Sequence, residues 1–489
     1  MLYNDMNNKA FNVPPSNLIN KYAKQKGSFY AYYPMNGLWP ENIGETNYSE
    51  AIDNLFKNNP NKSVALYIHF PFCETQCLFC HCFTIISKNT KDHDKIINYI
   101  IKEIELLKNI CKKKRYQPNI KEVHFGGGSP SNLSKENFSR LFSAIRSFSS
   151  SNNFEECALE IDPRYNVNKD KLYFYAEQGI NRISFGIQDF DKEIGKIVNR
   201  INSVEDIKNL LSQEVRNLFD SVNFDLIYGM PQQTLNSWLS TIDKAIELDP
   251  DRLAVYVWGF RPDLYPHMKA LKKYERAGPQ LQMKMFVGAV NKFINNGYDF
   301  IGIDHMAKPN DVLFKAKKQG TIDRNAIGYT PGRAKDVIAV GPNSMSTVGN
   351  YYFQNFHFMK KYYSSIDSGR LPLVRGFEAK HDDLLRRDII FNIILHSTVV
   401  YSKIQKNYDL NNFWDYFSLE LKNLKEMEND SLVIIHDDKL EVTPTGRFFQ
   451  RHICKIFDKY DRELGYRYSR EFEDGKAAFD RNAQLKSSN

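Results

Sequence analysis

Residues 63–83 read SVALYIHFPFCETQCLFCHCF. The first part, Val64 to His69, is a short run rich in Val, Leu, Ile and Tyr, with the length and composition of a buried strand. The second part sets Cys73, Cys77 and Cys80 at CxxxCxxC spacing directly behind that strand. A loop of this length wraps three thiolates around one face of a cubane and leaves the fourth iron of a [4Fe–4S] cluster without a protein ligand. Zinc is the alternative on spacing, with Cys82 or His81 as a fourth ligand. Structural zinc, however, pairs two separated knuckles, and the chain offers one. Lone Cys111, Cys157 and Cys454 read as buried core thiols.

Outward from this stretch, strand-like runs recur with helix-length segments between them: Val64 to His69, Glu122 to Phe125, Ala158 to Asp162, Arg182 to Ile187, Val222 to Ile227 and Leu253 to Val257. Six such units argue for an α/β chain of parallel strands whose crossovers close toward a barrel or part of one. Chemistry is then expected at strand C-terminal ends. A seventh run, Tyr298 to Asp304, introduces a Gly-, Pro-, Lys- and Asp-rich extension ending near Gly341. From about Gly376 the pattern turns helical, with Asp382 to His396 and Leu410 to Met427 clearest. Leu432 to Ile435 and Lys439 to Thr443 form a hairpin about His436-Asp437-Asp438, before a helix opened by Thr445. The expected organisation is an N-terminal arm over 1–60, a barrel domain with its extension over 61–375, and a helical, winged-helix-like C-terminal domain over 376–489.

Composition excludes several classes. Sixty-six Lys and Arg against 58 Asp and Glu give +8 over 489 residues, too diffuse for nucleic acid, and Lys112 to Arg115 reads as a solvated helix end. No apolar run spans a membrane, since Asn392, His396 and Ser397 interrupt the best candidate. The N-terminus carries no targeting pattern. Four of seven cysteines within ten residues argue for a metal centre in a reducing compartment rather than a disulfide framework, which places the protein in the cytoplasm. No heptad pattern asks for a partner, so a monomer is expected.

Further motifs lie at strand ends. Gly126, Gly127 and Gly128 follow the second run, where glycines let backbone approach a ligand, though a GGG alone equally marks a tight turn. Glu160 and Asp162 share one face of ALEID. Gln188 ends RISFGIQ, Asp225 sits in FDLIYG, and Arg200 closes IVNR.

With these residues in order, the chain resembles the oxygen-independent coproporphyrinogen III oxidases of the radical S-adenosylmethionine (SAM) superfamily, from about Ile19 to Tyr460. CxxxCxxC alone marks only the superfamily; YIHFPFC, CxC after the triplet, GGGSP, EIDPR, GIQDF, VNR and DLIYGMP together mark the family. The resemblance implies a partial (β/α)6 barrel with a C-terminal helical domain. It implies that Cys73, Cys77 and Cys80 hold the cluster, that Cys82 is not a ligand, and that SAM chelates the open iron. It assigns Gly127 and Gly128 to the methionyl group, Glu160 to the ribose, Arg200, Gln188 and Asp225 to polar contacts with SAM, and Tyr67, beside the cluster, to the catalytic site. The implied reaction starts from a 5'-deoxyadenosyl radical and turns two propionates of coproporphyrinogen III into vinyl groups, giving protoporphyrinogen IX in haem synthesis. A low-potential donor such as flavodoxin or ferredoxin supplies the electron.

Two segments depart from the family pattern. Its PRYTSYPT stretch reads Ser28-Phe29-Tyr30-Ala31-Tyr32-Tyr33-Pro34-Met35, without the arginine. Its RNFQGYTT stretch, which lines a second SAM site, reads Arg324-Asn325-Ala326-Ile327-Gly328-Tyr329-Thr330-Pro331, and an isoleucine of the same site reads Met345. Whether one or two SAM molecules bind is left open. Arg261, Lys308, Arg324 and Arg333 are the substitute cations for propionates that cannot be buried unpaired. The departures leave two alternatives: a relative acting as a C-methyltransferase or cyclopropane-forming enzyme on another substrate, and a non-catalytic haem-binding relative.

Overall fold

The computed structural model describes residues 10–24 and 30–464. Phe29 lies outside them. All six expected strands form: β1 (Ser63–Phe70), β2 (Asn119–Gly127), β3 (Glu156–Ile161), β4 (Arg182–Gln188), β5 (Ser221–Tyr228) and β6 (Arg252–Val257). They pair in parallel in chain order. Ile68, Phe125, Leu159, Phe185, Phe224 and Leu253 are fully buried and join the main core with helix residues such as Ile100, Phe138 and Ile242. Each such side chain contributes about 1.5–3 kcal/mol on burial.

The helices that cover this face are set by their own sequence. Thr90–Lys113 begins where Asn89 Oδ1 accepts the Lys91 amide at 3.1 Å, and its Ile96, Ile100, Ile104 and Leu107 fall on one buried stripe. Lys112 and Lys113 sit in its last turn, as the charge run suggested.

Two expectations need correction. The run Tyr298 to Asp304 is not one strand: β7 (Asp299–Phe300) and β8 (His305–Ala307) form an antiparallel pair, with β8 antiparallel to β6. The chain leaves the ladder between them because the Ile303 amide donates to the Tyr329 hydroxyl at 2.9 Å. At Gly302, moreover, that hydroxyl leaves no room for a Cβ. The extension is likewise not mostly loop. It ends in β9 (Asp336–Val340), parallel to β1, and beyond Gly341 the chain adds β10 (Met345–Val348), β11 (Tyr351–Asn355) and β12 (Leu373–Glu378), all antiparallel. The twelve-stranded sheet runs β12-β11-β10-β9-β1-β2-β3-β4-β5-β6-β8-β7. The expected boundary at 375/376 falls inside β12.

Helices His381–His396, Ser418–Asn429 and Gln450–Phe457 pack with a three-stranded antiparallel sheet, Thr398–Val400, Lys439–Val442 and Val433–Ile435. The helix expected from Leu410 to Met427 breaks at Phe417, whose ring is buried against Phe413 and Phe457. This region meets the barrel through Arg451 on Asp304 at 3.2 Å. Among the described residues no helix is long and apolar enough to cross a membrane.

Candidate active site

Every second residue of a strand points to the same face, and on β2 to β6 the face opposite the helices is polar. Glu122 and His124, Glu156 and Glu160, Arg182, Ser184 and Gln188, Asn223 and Asp225, and Arg252 and Tyr256 all line one cavity of about 550 Å³. Asp162, Arg200 and Trp258 extend its wall just past the strands, and Cys73, Cys77, Cys80 and Cys82 close one side. Deep in it, Glu156 lies between Arg182 at 2.8 Å and Arg252 at 3.2 Å. Burial works to raise the Glu156 pKa, but the two guanidiniums reverse this and hold it below the ordinary range. Its neighbour Glu122, buried and facing the Glu156 charge, is pushed up.

The cysteine loop is positioned from three sides. Phe72–Cys73 pairs in parallel with Ile85–Ile86, fixing the loop's two ends together. His267 donates to the Cys80 carbonyl at 2.9 Å, and His81 donates to the Gly259 carbonyl at 2.8 Å while stacking on Tyr265. Each candidate ligand sulfur also has a donor aimed at it. The Ser129 hydroxyl lies 3.5 Å from Cys73 Sγ, the Arg164 and Arg200 guanidiniums 3.3 and 3.6 Å from Cys77 Sγ, and the Cys82 amide 3.3 Å from Cys80 Sγ. Among the described residues no three His, Cys, Asp or Glu side chains converge on a single-ion position; the three sulfurs share a cavity wall. Three sulfurs with hydrogen-bond donors around them fit a cluster held by thiolates. Burial pushes the Cys73 thiol up to about 12.

The glycines are explained by what they touch. A Cβ on Gly126 would lie 2.7 Å from Glu160 Oε1, and one on Gly128 2.6 Å from the Phe72 carbonyl. Gly127 has φ +107° and lies against the His69 imidazole. Glu160 accepts from His124 at 3.0 Å and from the Gly127 amide at 3.2 Å. Its pKa, raised by burial, is brought below the ordinary value by the His124 hydrogen bond. Asp225 accepts from Ser184 and Asn223, each at 3.0 Å, and burial followed by the Glu160 charge raises its pKa. Gln188 has φ +68° at a register shift between β4 and β5, and its Oε1 is buried without a partner. Arg200 donates through Nε to the Gly186 carbonyl at 3.0 Å and pairs with Asp162 at 3.1 Å. Tyr67 packs beside the wall, against His124 and the small apolar cluster of Ala65, Ala334, Val337 and Ala339, with its hydroxyl 3.2 Å from His69 Nδ1.

Residues of this arrangement not singled out from sequence include His69, His124, Ser129 and Arg164, together with the Glu156, Arg182 and Arg252 group. His69 donates to the Phe83 carbonyl at 3.0 Å, tying β1 to the end of the cysteine loop. Arg164 grips Asp162 through two nitrogens at 2.9 and 2.7 Å. Period two would have found the histidines: His69 is two residues from Tyr67, and His124 two from Gly126.

The departing segment forms a small hairpin, Asp323–Arg324 with Tyr329–Thr330, whose Asn325, Ile327 and Tyr329 line the cavity. Ala326 and Met345 instead pack with Tyr32, Met35, Trp39 and Tyr352 in an apolar cluster. Of the substitute cations, Arg333 pairs with Glu155, Lys308 with Asp249 and Arg261 with Asp263. Arg324 stacks on Tyr329 at 4.6 Å and donates to the Tyr30 carbonyl.

A parallel barrel carrying three cysteines after its first strand, and strand-end polar groups facing them, defines a radical SAM enzyme. The radical SAM superfamily profile matches residues 67–245. The chain is 34% identical over 446 residues to the oxygen-independent coproporphyrinogen III oxidase of Escherichia coli, covering 91% of this chain and 95% of that one. It is 31% identical to that of Pseudomonas aeruginosa, covering 93% and 98%. The solved coproporphyrinogen III oxidase of E. coli superposes with a TM-score of 0.83 at 34% identity, over 88% of this chain and 97% of that one. The chain belongs to the oxygen-independent coproporphyrinogen III oxidase family. Its cofactors are a [4Fe–4S] cluster and SAM.

Proposed function

We propose that the protein carries out the oxygen-independent oxidative decarboxylation of coproporphyrinogen III to protoporphyrinogen IX, a step of haem synthesis. The observation that carries this is one cavity shared by the three cysteines and the strand-end polar set, in a chain aligned almost end to end with coproporphyrinogen III oxidases. Bound against Cys73, Cys77 and Cys80 in this cavity, the cluster and SAM would supply the radical chemistry that activates a propionate β-carbon for decarboxylation.

The chain's own residues hold, orient and exclude water. Cys73, Cys77 and Cys80 ligate the cluster, with Ser129, Arg164, Arg200 and the Cys82 amide donating to their sulfurs. The unpartnered Gln188 Oε1 and the Arg200 guanidinium take the methionyl end of SAM beside Gly127 and Gly128, Glu160 takes the ribose, and Asp225 faces the adenosyl side. Tyr67 fixes His69, and through it the cysteine loop. Ile327 makes apolar a position the family fills with an amide, and Arg324, next to cavity residue Asn325, is the cation offered to a propionate. This reading places the enzyme in the cytoplasm as a monomer, fed by a flavodoxin- or ferredoxin-type donor. Its support is the reaction's need for a low-potential electron and oxygen-free surroundings.

The test is anaerobic turnover of the reconstituted protein with dithionite, SAM and coproporphyrinogen III. Loss of two CO2 per porphyrinogen is expected. Formation of 5'-deoxyadenosine with unchanged porphyrinogen mass would remove the substrate from the account and leave the SAM chemistry.

A further inference from the structure

We propose that His124 is the positioning residue for Glu160, as the link before it in a half-buried relay Glu156–Arg182–His124–Glu160 that aims the carboxylate at the ribose of SAM. The inference rests on the reading of Glu160 as the ribose acceptor. The relay begins where Glu156 holds Arg182 Nε at 2.8 Å. Arg182 Nη2 lies 3.3 Å from His124 Nδ1, and His124 Nε2 lies 3.0 Å from Glu160 Oε1. A guanidinium has only donors, so Nδ1 must be the acceptor. The imidazole is therefore the neutral tautomer protonated at Nε2, and that N–H points at Glu160. Tyr67 stacks on the ring at 5.8 Å with 26° between planes, and the His124 side chain is only 12% exposed, so its orientation is fixed by packing as well.

The consequence for Glu160 follows by counting acceptor sites. A carboxylate offers about four, two on each oxygen. Oε1 uses one for His124 and Oε2 uses one for the Gly127 amide at 3.2 Å. One site is left on each oxygen, on a side chain that is 39% exposed to the cavity, which is the pattern two vicinal hydroxyls require. Gly126 permits the arrangement, since any Cβ there would meet Oε1 at 2.7 Å. Without the donor from His124, the carboxylate is held at one oxygen only and rotates out of this register.

The test measures SAM affinity of the reconstituted holoenzyme by equilibrium dialysis, with iron content and thermal midpoint as controls. His124→Leu is expected to weaken SAM binding about tenfold, the effect of losing one hydrogen bond to a charged group. His124→Gln, whose amide N–H replaces Nε2–H, is expected to bind near wild type. In a Glu160→Gln background, itself weakened, His124→Leu is expected to add little. Full additivity, or an unchanged affinity in His124→Leu alone, overturns the relay while leaving Glu160 as ribose acceptor. Unchanged affinity in Glu160→Gln overturns both. A readout independent of the leucine variant's folding is the ¹⁵N spectrum of histidine-labelled protein, assigned by difference with His124→Gln. An Nε2–H neutral imidazole supports the relay, and an Nδ1–H tautomer contradicts it.

Discussion

Asp162→Asn removes one charge where two cations depend on it. Asp162 is 7% exposed and accepts from Arg164 Nε at 2.9 Å, Arg164 Nη2 at 2.7 Å and Arg200 Nη1 at 3.1 Å. Both guanidiniums also reach Cys77 Sγ. Hydrogen bonds to charged groups are worth about 1.5–3 kcal/mol, and in the asparagine one of the two oxygens becomes an NH2 that cannot accept, so at least one of the three bonds is lost and the others weaken, a deficit of about 3 kcal/mol. That agrees with the roughly 3–5 kcal/mol of a broken buried pair. Burial works to raise the Asp162 pKa, and Arg200 and Arg164 outweigh it, so the folded value lies below the ordinary one. The stabilisation is therefore complete above the unfolded pKa of about 3.9 and fades as pH falls through the folded value. Anaerobic urea unfolding of the reconstituted protein is expected to show the full deficit, constant from about pH 5 to 8, together with lower iron occupancy. A deficit under about 0.5 kcal/mol with normal iron loading would refute the claim that this carboxylate organises the arginines around Cys77.

Other expectations follow from single contacts. Gly127→Ala forces a left-handed φ on alanine and sets its Cβ 2.6 Å from the His69 ring; a loss of about 2 kcal/mol or more and reduced iron incorporation are expected in reconstitution assays. Glu103 accepts from Tyr362, Gly341 and Asn355, and burial raises its pKa to about 7. A folded pKa above the unfolded one contributes stability at low pH that is lost as pH rises through 7. Relative to wild type, Glu103→Gln should thus gain up to about 3 kcal/mol between pH 4 and 8, read from unfolding at the two pH values. Arg386 joins Glu420 at 2.8 Å, Asp382 at 2.9 Å and the Phe457 carbonyl at 3.1 Å. Arg386→Met should cost about 3–5 kcal/mol and show as faster hydrogen exchange in helix His381–His396 with iron loading unchanged.

What the sequence made legible, and what it hid, follows from how far apart the deciding contacts lie. Strands β1 to β6 declare themselves through Val, Ile and Phe runs because each packs under a helix adjacent in the chain. Strands β9 to β12 do not: Asp336–Val340 is only five residues, all buried, and owes its place to β1, more than 250 positions earlier. The cysteines and GGG are local patterns and were read. The donors around them were not, because Arg164 reaches Cys77 across 87 positions and Ser129 reaches Cys73 across 56. Arg200 was singled out for SAM, yet its bonds to Asp162 and the Gly186 carbonyl were invisible in IVNR. Among the substitute cations, pairing with Asp249, Asp263 and Glu155 likewise appears only in three dimensions.

The central claim is that this cavity directs a SAM-derived radical to the propionate β-carbons of coproporphyrinogen III. The most direct measurement uses coproporphyrinogen III deuterated at those carbons and follows the label into 5'-deoxyadenosine by mass spectrometry. The account predicts one deuterium transferred per decarboxylation, two for each porphyrinogen converted. Decarboxylated product accompanied by unlabelled 5'-deoxyadenosine, or labelled porphyrinogen recovered intact while SAM is consumed, would contradict it.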